Sequence, residues 1–282
     1  MFNEPVSALA GTATPVTESI LLSPTFKRYE LDTSAVQRDS FDILNNGQSA
    51  FNFVVYARPY SVKNELYEPD FVNGGQNSDA YKWVQFEQPS YTVEPGKTVK
   101  VNYTMRVPSD AAPGGHYGVL FAETQPSDAT EGTAIIRKKR VGAIVYATVN
   151  GDVRTSGKFE GSDAPFFQFN APLKVRSTVS NSGNTDFMVK SSVRVSDVFG
   201  ALKYRADKEV SILPQKPREV NNDWQNPAWI GLYKVEQTNQ FLDTTKATSA
   251  YVLLVPIWVY LVLVSLIVGR ILYAVFLRRR TK

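Results

Sequence analysis

Residues 40–57, SFDILNNGQSAFNFVVYA, contain the pattern that decides the fold of this chain. Two runs rich in apolar, β-branched and aromatic residues, SFDIL and FNFVVYA, flank the turn sequence Asn-Asn-Gly. Short alternating runs that are bounded by Asn, Gly or Pro are typical of strands joined by turns. The segment therefore predicts two neighbouring β-strands.

Runs of the same kind recur along most of the chain. They are VKVNYTMRV, YGVLFAE, AIIRK and VGAIVYATV in the first half, and FFQFNAPLKVRSTVS, FMVKSSVRVSD, KEVSIL and LYKVEQT in the second. Turn sequences such as EPGK, PGG and NGD separate them. No stretch before the C-terminal segment shows the 3.6-residue periodicity of an amphipathic helix. The pattern predicts an all-β fold of the sandwich type.

The two halves contain the same landmarks in the same order. The matched pairs are Asn46-Gly47 with Ser182-Gly183, Glu94–Lys97 with Leu213–Lys216, and His116-Tyr117-Gly118 with Leu232-Tyr233-Lys234. A repeat of more than about 100 residues indicates tandem domains rather than a solenoid. We therefore predict two tandem immunoglobulin-like β-sandwiches, at residues 19–152 and 153–238.

A long apolar segment follows the second predicted domain. Residues 249–269, SAYVLLVPIWVYLVLVSLIVG, contain no charge, and the apolar run continues to Leu277. About 20 helical residues cross a hydrocarbon core of about 30 Å. We predict a stalk at 239–248, a single transmembrane α-helix at 249–277 and a basic tail at 278–282. The residues expected to anchor the helix at the two interfaces are Tyr251, Trp258, Tyr260, Arg270, Arg278, Arg279 and Arg280.

The flanks of this segment predict its orientation. Four basic residues follow it at once, whereas only Lys234 and Lys246 lie in the stretch before it. The positive-inside rule then places the C-terminus in the cytoplasm and the sandwiches outside the cell membrane. An exported domain needs a signal peptide, and Ala8-Leu9-Ala10 resembles a cleavage site, so residues 1–18 are interpreted as a signal-peptide remnant or flexible lead-in. The alternative is a tail-anchored protein with cytosolic domains.

Composition excludes several classes of function. The chain has no Cys and one His, which argues against disulfides, thiolate chemistry, a histidine-rich metal site and a Ser-His-Asp triad. Five of the 31 basic residues lie beyond residue 269, so the rest of the chain contains 26 basic and 27 acidic residues. This balance argues against a basic domain that binds nucleic acid. We expect no catalytic residue, metal or other cofactor. A wall-polymer hydrolase with paired carboxylates stays open as an alternative.

Two segments are candidates for ligand binding. The loop at 63–81 is long for a connection between strands, and its aromatic and acidic residues suit a sugar or peptide: Tyr67, Asp70, Phe71, Asp79 and Tyr81. The basic run Arg137, Lys138, Lys139 and Arg140 suits an anionic wall polymer or lipid headgroups. The alternatives are a mobile surface loop at 63–81 and, for the basic run, a solvated hairpin or a protected sheet edge. His116, between glycines, is interpreted as part of a turn.

The ordered set of motifs resembles a known family. SFDILNNG, FNFVVYARPYSV, WVQFEQPSYTVEPGKTVKVNYTMRVP, APGGHYG and RVGAIVYATVNGD are similar to the N-terminal domain of Gram-positive WxL-interacting surface proteins. VSNSGNTDFMVKSSVRVSDVFG and ILPQKPREV are similar to the second domain of that family. The resemblance implies two immunoglobulin-like domains at the cell surface, with peptidoglycan bound by the first and protein partners by the second.

These observations predict a non-catalytic binding or scaffolding protein of the bacterial cell surface. Its expected partners are the lipid bilayer, peptidoglycan or another wall polymer, and other surface proteins, with no nucleic acid. The alternative is a structural subunit of a larger envelope complex that recruits this chain through its transmembrane helix.

Overall fold

The computed structural model describes residues 19–125, 138–228 and 230–280, with backbone alone for residues 275–280. The predicted lead-in at 1–18, Arg137 and the last two residues lie outside this range. Two compact units are present. Among the described residues, the first comprises those up to Ser61, those of Asp70–Ala112 and those of His116–Asn150, and the second comprises Val62–Pro69, Pro113–Gly115 and those from Gly151 onward.

The first half of the chain folds into short and medium-length strands. They are β1 Ile20–Ser23, β2 Phe26–Leu31, β3 Val36–Asn45, β4 Phe51–Pro59, β5 Ser61–Val62, β6 Pro69–Asp70, β7 Val84–Phe86, β8 Ser90–Val93, β9 Thr98–Arg106, β10 Gly114–Thr124 and β11 Arg140–Val149, with a 3₁₀ turn at Ala80–Trp83. In the first unit they form a four-stranded sheet, β1-β3-β9-β7, and a five-stranded sheet, β2-β11-β10-β4-β8.

The core of the first unit lies between these two sheets. Phe41, Val101 and Met105 of the four-stranded sheet pack in one buried cluster with Phe53 and Leu120 of the five-stranded sheet. Along β3 and β4 the side chains alternate between buried and more exposed, as a strand with one face on a core requires. The first unit is therefore a β-sandwich, as the alternating sequence predicts.

The second half repeats this strand order. Its elements are β12 Gly157–Asp163, β13 Phe167–Gln168, β14 Arg176–Asn181, β15 Phe187–Asp197, β16 Leu202–Ile212, β17 Pro217–Asn221, β18 Gly231–Phe241, β19 Thr244–Leu254 and the helix α1 Ile257–Arg280. The sheets are β12-β14-β17 and β13-β19-β18-β15-β16. In both units a short early strand pairs in parallel with the last strand, β2 with β11 and β13 with β19. The predicted internal repeat is thus visible as a shared topology.

The stalk predicted at 239–248 is wrong, because those residues form a β-hairpin of the second sandwich. Strands β18 and β19 pair antiparallel from Gly231↔Leu254 to Phe241↔Thr244. The predicted helix start at 249 is wrong for the same reason. Val252 and Leu254 are buried in the sandwich core, so the uncharged stretch that precedes Pro256 is a core strand, and Tyr251 is a strand residue.

Helix α1 begins directly after Pro256, whose fixed φ and missing N–H suit the start of a helix. Residues Ile257–Ala274 have a mean hydropathy of 2.1, and none of this stretch is buried against the protein. Among the described residues this is the one helix that is long and apolar enough to cross a membrane.

Candidate binding sites

The predicted ligand loop at 63–81 is divided between the two units. Tyr67 belongs to the second unit and is 8% exposed. Its hydroxyl accepts a hydrogen bond of 2.8 Å from the Leu213 N–H, and the Arg218 guanidinium lies 4.0 Å from its ring centroid. A guanidinium over an aromatic face is attractive. Tyr67 therefore anchors its own segment, and the ligand-binding role predicted for it stays a prediction.

Asp70 and Phe71 have structural partners in the first unit. The Asp70 carboxylate accepts hydrogen bonds of 2.9 Å from the N–H groups of Val72 and Asn73, which closes a local turn. The Phe71 ring meets the Phe121 ring edge to face, with centroids 5.0 Å apart, and stacks against Tyr60. Phe71 thus covers part of the outer face of the five-stranded sheet.

The single histidine of the chain, His116, lies in strand β10 and not in the predicted turn, and it contacts Asp79. The Asp79 Oδ1 lies 2.7 Å from Nδ1 of His116, and the Ala112 carbonyl lies 2.8 Å from Nε2. Since both partners accept hydrogen bonds, this geometry favours the doubly protonated imidazolium. Burial opposes the charge, but the hydrogen bonds to Asp79 and Ala112 outweigh it and raise the pKa of His116.

The same contact lowers the pKa of Asp79. Burial acts in the opposite direction, but the hydrogen bond from His116 and its positive charge prevail. The imidazole ring also packs on Trp83, with centroids 4.7 Å apart. Both ring nitrogens of His116 have acceptor partners. The Asp79–His116 pair therefore holds the segment that precedes β7 rather than activating a nucleophile.

Tyr81 is half-buried at the 3₁₀ turn, next to β10. A Cβ added at Gly118 would lie 2.8 Å from the Tyr81 backbone nitrogen, so only a glycine permits this approach. The Lys82 amine is 5.9 Å from the Tyr81 ring. Tyr81 is therefore a partly exposed aromatic residue beside a cation.

The basic run is brought next to Phe71. The Arg140 guanidinium lies 4.5 Å from the Phe121 ring centroid and 5.9 Å from that of Phe71. Lys138 reaches Glu123 at 3.6 Å, and the Lys139 N–H donates to Thr124 Oγ1. The structure therefore unites two predicted site residues, Phe71 and Arg140, in a cationic and aromatic patch.

The predicted membrane-anchoring residues separate into two groups. Trp258, Tyr260 and Arg270 lie on α1, whereas Tyr251 lies on β19. The backbone of Arg278, Arg279 and Arg280 continues α1 to its last residue.

A polar groove in the second unit was not predicted from the sequence. It has a volume of about 670 Å³ and lies over the three-stranded sheet. Its floor contains Gly161, Thr178 and Glu219, which are aligned across β12, β14 and β17 by the strand register. Glu65 forms one wall, because its carbonyl accepts a 2.8 Å hydrogen bond from the Glu219 N–H. The remaining charged residues of the lining are Glu160, Asp163, Arg176 and Lys216.

The groove contains charges with unused hydrogen-bonding capacity. Arg176 Nη1 lies 3.7 Å from Glu219 Oε1, an ion pair longer than a hydrogen bond. Arg176 Nε and Glu219 Oε1 are buried, and neither has a hydrogen-bond partner among the described residues. Burying such groups without a partner is unfavourable. The side chains of Arg176 and Glu219 as a whole are 35% and 21% exposed, so this ion pair presents charge to a polar ligand in the groove.

The sequence signal for this groove was too weak to use. The strands RSTVSN and PREVN do alternate polar and apolar residues, but an outward polar face is normal for a sandwich. The wall residue Glu65 comes from a segment more than 100 residues earlier in the chain. No group of three His, Asp or Glu residues in the described part of the chain is arranged to hold a metal ion.

Comparison with known proteins yields structural likeness alone. No family model and no curated protein matches the sequence. Among solved structures, the Salmonella enterica SafA pilin in complex with the SafB chaperone matches with a TM-score of 0.44 and 11% identity over 86% of this chain and 99% of that one. The E. coli chaperone DraB matches with a TM-score of 0.42 and 11% identity, over 83% and 98% of the two chains.

The class 5 fimbriae chaperone CfaA gives a TM-score of 0.41 and 13% identity over 84% of this chain and the whole of that one. Because these TM-scores lie below 0.5, we base no argument about ligand or partner on them.

Proposed function

We propose that this protein is a non-catalytic, membrane-anchored binding protein of the cell surface, and that its second sandwich holds a partner in the polar groove. The observation that supports this most strongly is the ion pair of Arg176 and Glu219, two partly exposed charges that line one groove. Opposite charges side by side suit a partner that also carries both charges. A segment of a surface protein and the peptide part of a wall polymer both meet that requirement.

Membrane anchoring is the second part of the proposal. Helix α1 has the length and hydropathy of a span. The basic residues at its C-terminal end favour a cytoplasmic C-terminus, which leaves the groove outside the cell. Membership of the WxL-interacting family and binding to peptidoglycan are consistent with this topology and belong to the same proposal.

The groove is tested in cells by photo-crosslinking from the full-length chain. A photoreactive residue at Thr178, on the floor of the groove, should form adducts, whereas the same residue at Arg194, on the exposed face of β15, should not. Protease digestion of the adduct identifies a protein partner, and muramidase digestion identifies a wall partner. Equal adduct formation at both positions, or none at either, would count against the groove.

The charge requirement is tested with Arg176→Ala and the matched surface variant Arg194→Ala. Loss of one member of the Arg176–Glu219 pair should weaken partner binding by at least about tenfold, which corresponds to about 1.4 kcal/mol. Unchanged affinity of a folded Arg176→Ala variant would exclude this pair as the contact.

Topology is tested separately by protease shaving of intact cells with an epitope tag near residue 130, which should be lost before lysis.

A further inference from the structure

The exposed apolar residues of the second sandwich are concentrated at one end. Among the described residues from 151 to 256, every exposed large apolar side chain except Leu242 lies near the start of α1. The most prominent are Phe166, Phe167, Phe169, Val198, Phe199 and Leu232. We call these six residues the helix-proximal rim. Phe199 is 91% exposed, which is costly for a phenylalanine in water.

Strand register shows that these residues share one end of the five-stranded sheet. Asp197 at the end of β15 pairs with Tyr233, and Tyr233 pairs with Val252 near the end of β19. Phe167 pairs with Leu253 on the other side of β19. The turn that contains Val198 and Phe199 therefore lies at the same end as Phe166, Phe167 and the last residues of β19.

This end is tied closely to the helix. Two residues, Val255 and Pro256, separate β19 from α1. The Val255 N–H donates a 3.0 Å hydrogen bond to the Gln168 carbonyl, and the ring of Phe169 lies 5.7 Å from that of Tyr260 on α1. A helix that spans a bilayer from Ile257 would therefore hold the rim within a few residues of the membrane surface.

Two ion pairs lie near the rim. Asp197 lies 3.0 Å from Lys203, and Lys234 lies 2.6 Å from Glu236. Since each of these pairs is neutral overall, the apolar side chains and not these charges distinguish the rim. Scattered single apolar residues on a surface need no explanation, but several aromatic residues at one end indicate a partner.

We propose that the helix-proximal rim rests in the interfacial region of the bilayer, with Phe167 and Phe199 inserted at the level of the headgroups and upper acyl chains. Aromatic side chains favour this region, where an apolar ring leaves water without entering the hydrocarbon centre. The inference rests on the membrane anchoring proposed above. It makes the second sandwich a membrane-seated domain whose groove has a fixed height above the lipid.

The absence of cysteine allows a clean test in the full-length chain. The variants Phe199→Cys, Phe167→Cys, Leu242→Cys and Leu266→Cys are labelled with an environment-sensitive fluorophore and reconstituted in phosphatidylcholine vesicles. Leu242 is 40% exposed at the opposite end of the sheet and is the matched control, whereas Leu266 lies within α1 and reports insertion of the helix. Lipids with a quencher high or deep in the acyl chain report the depth of each label.

We expect labels at 199 and 167 to lose most of their fluorescence to the shallow quencher, the label at 266 to the deep quencher, and the label at 242 to neither. If 266 is quenched while 199 and 167 behave like 242, the rim proposal fails and the anchor stands. If 266 is not quenched, the membrane anchor fails and the rim proposal fails with it. Protection of 199 from water without quenching would show a protein interface, which overturns lipid as the occupant.

Discussion

Asn45 and Asn181 make the same hydrogen bonds at equivalent places in the two sandwiches. Each Nδ2 donates to a carbonyl four residues later, Ser49 or Thr185, and to a second one on a distant strand end, Val93 or Ile212. Each Oδ1 accepts a 2.8 Å hydrogen bond from a glycine two residues later, Gly47 or Gly183. Both side chains are buried. In each sandwich, this asparagine therefore joins the end of a strand to the loop that follows it and to a second, distant strand.

We predict that Asn45→Ala lowers the free energy of unfolding by about 2–4 kcal/mol, because two carbonyls lose their donor inside the protein. Asn45→Asp should cost a similar amount, since it keeps the acceptor for Gly47 but loses both donors. Asn46→Ala, at the exposed neighbour, should stay within about 0.5 kcal/mol of the parent. Thermal unfolding of the full chain in detergent provides the comparison. Asn45→Asp with parental stability would show that these donors contribute nothing.

The sequence predicts one pair of equivalent positions in the two halves correctly and aligns another pair wrongly. Asn46-Gly47 and Ser182-Gly183 do lie in equivalent loops, because turn chemistry leaves a clear sequence signal. The predicted match of Tyr117 with Tyr233 is wrong by one residue. Tyr233 packs on Trp224 in the core, whereas Tyr117 packs on Tyr146 and His116 packs on Trp83. A shift of one residue in the alignment of two strands moves a side chain to the opposite face of the sheet. The sequence did not reveal the shift, because both halves have a tyrosine at the aligned position.

The boundary between sandwich and helix was also beyond sequence reasoning. Residues 249–254 are uncharged and continue directly into the apolar segment, so hydropathy alone assigns them to the membrane. The distinguishing fact is that Val252 and Leu254 find partners in the sandwich core. Such partners are set by tertiary pairing with β18, which no local pattern specifies.

The ion pair between Asp79 and His116 predicts a bell-shaped dependence of stability on pH. The raised pKa of His116 gives stability that is complete below its unfolded pKa of about 6.5 and is lost as pH rises through the folded value. The lowered pKa of Asp79 gives stability that is present above its unfolded value of about 3.9 and is lost as pH falls through the folded one. The contribution of the pair is therefore largest between about pH 4 and 6.5.

The measurement is the difference in unfolding temperature between the parent and His116→Gln across pH 3 to 9. The amplitude should be modest, because the Asp79 side chain is 42% exposed and solvent screens the pair. Asp79→Asn should remove the same pH dependence. A constant difference over the whole range would contradict the assignment of the pair as ionised.

A buried polar layer distinguishes the core of the second sandwich from that of the first. Asn239 and Ser191 face each other across β18 and β15, where the first sandwich places Ala122 opposite Val55. Ser177 donates to Asn239 Oδ1 at 3.1 Å, and the Asn239 Nδ2 has no hydrogen-bond partner among the described residues. The hydrogen-bonding groups of this layer are thus not all paired.

We predict that Asn239→Ala alone destabilises the protein by about 1–3 kcal/mol, because the Ser177 hydroxyl loses its acceptor. The double variant Asn239→Ala with Ser177→Ala should lose less than the sum of the two single variants, because the Ser177–Asn239 hydrogen bond can be lost only once, whereas Gln237 Nε2 loses its bond to Ser177 Oγ in both variants that carry Ser177→Ala. A double-mutant cycle by chemical denaturation measures this coupling. Strict additivity would show that the two residues do not interact.

The approach of the 3₁₀ turn to β10 depends on Gly118. A Cβ at this position would lie 2.8 Å from the backbone nitrogen of Tyr81, and backbone cannot move aside as a flexible side chain can. Gly118→Ala should therefore push the segment around Tyr81 away from the sheet and lower stability by about 1–3 kcal/mol, the usual cost of overpacking.

The displaced segment should also be cleaved faster by protease near residues 70–83, whereas Gly269→Ala, whose added Cβ meets nothing within 4 Å beyond its own stretch of helix, should change neither property. Limited proteolysis followed by mass spectrometry locates the cut. Faster cleavage elsewhere without cleavage in this segment would show that Gly118 acts on the fold in general. Parental stability and cleavage in Gly118→Ala would mean that the turn does not pack on β10.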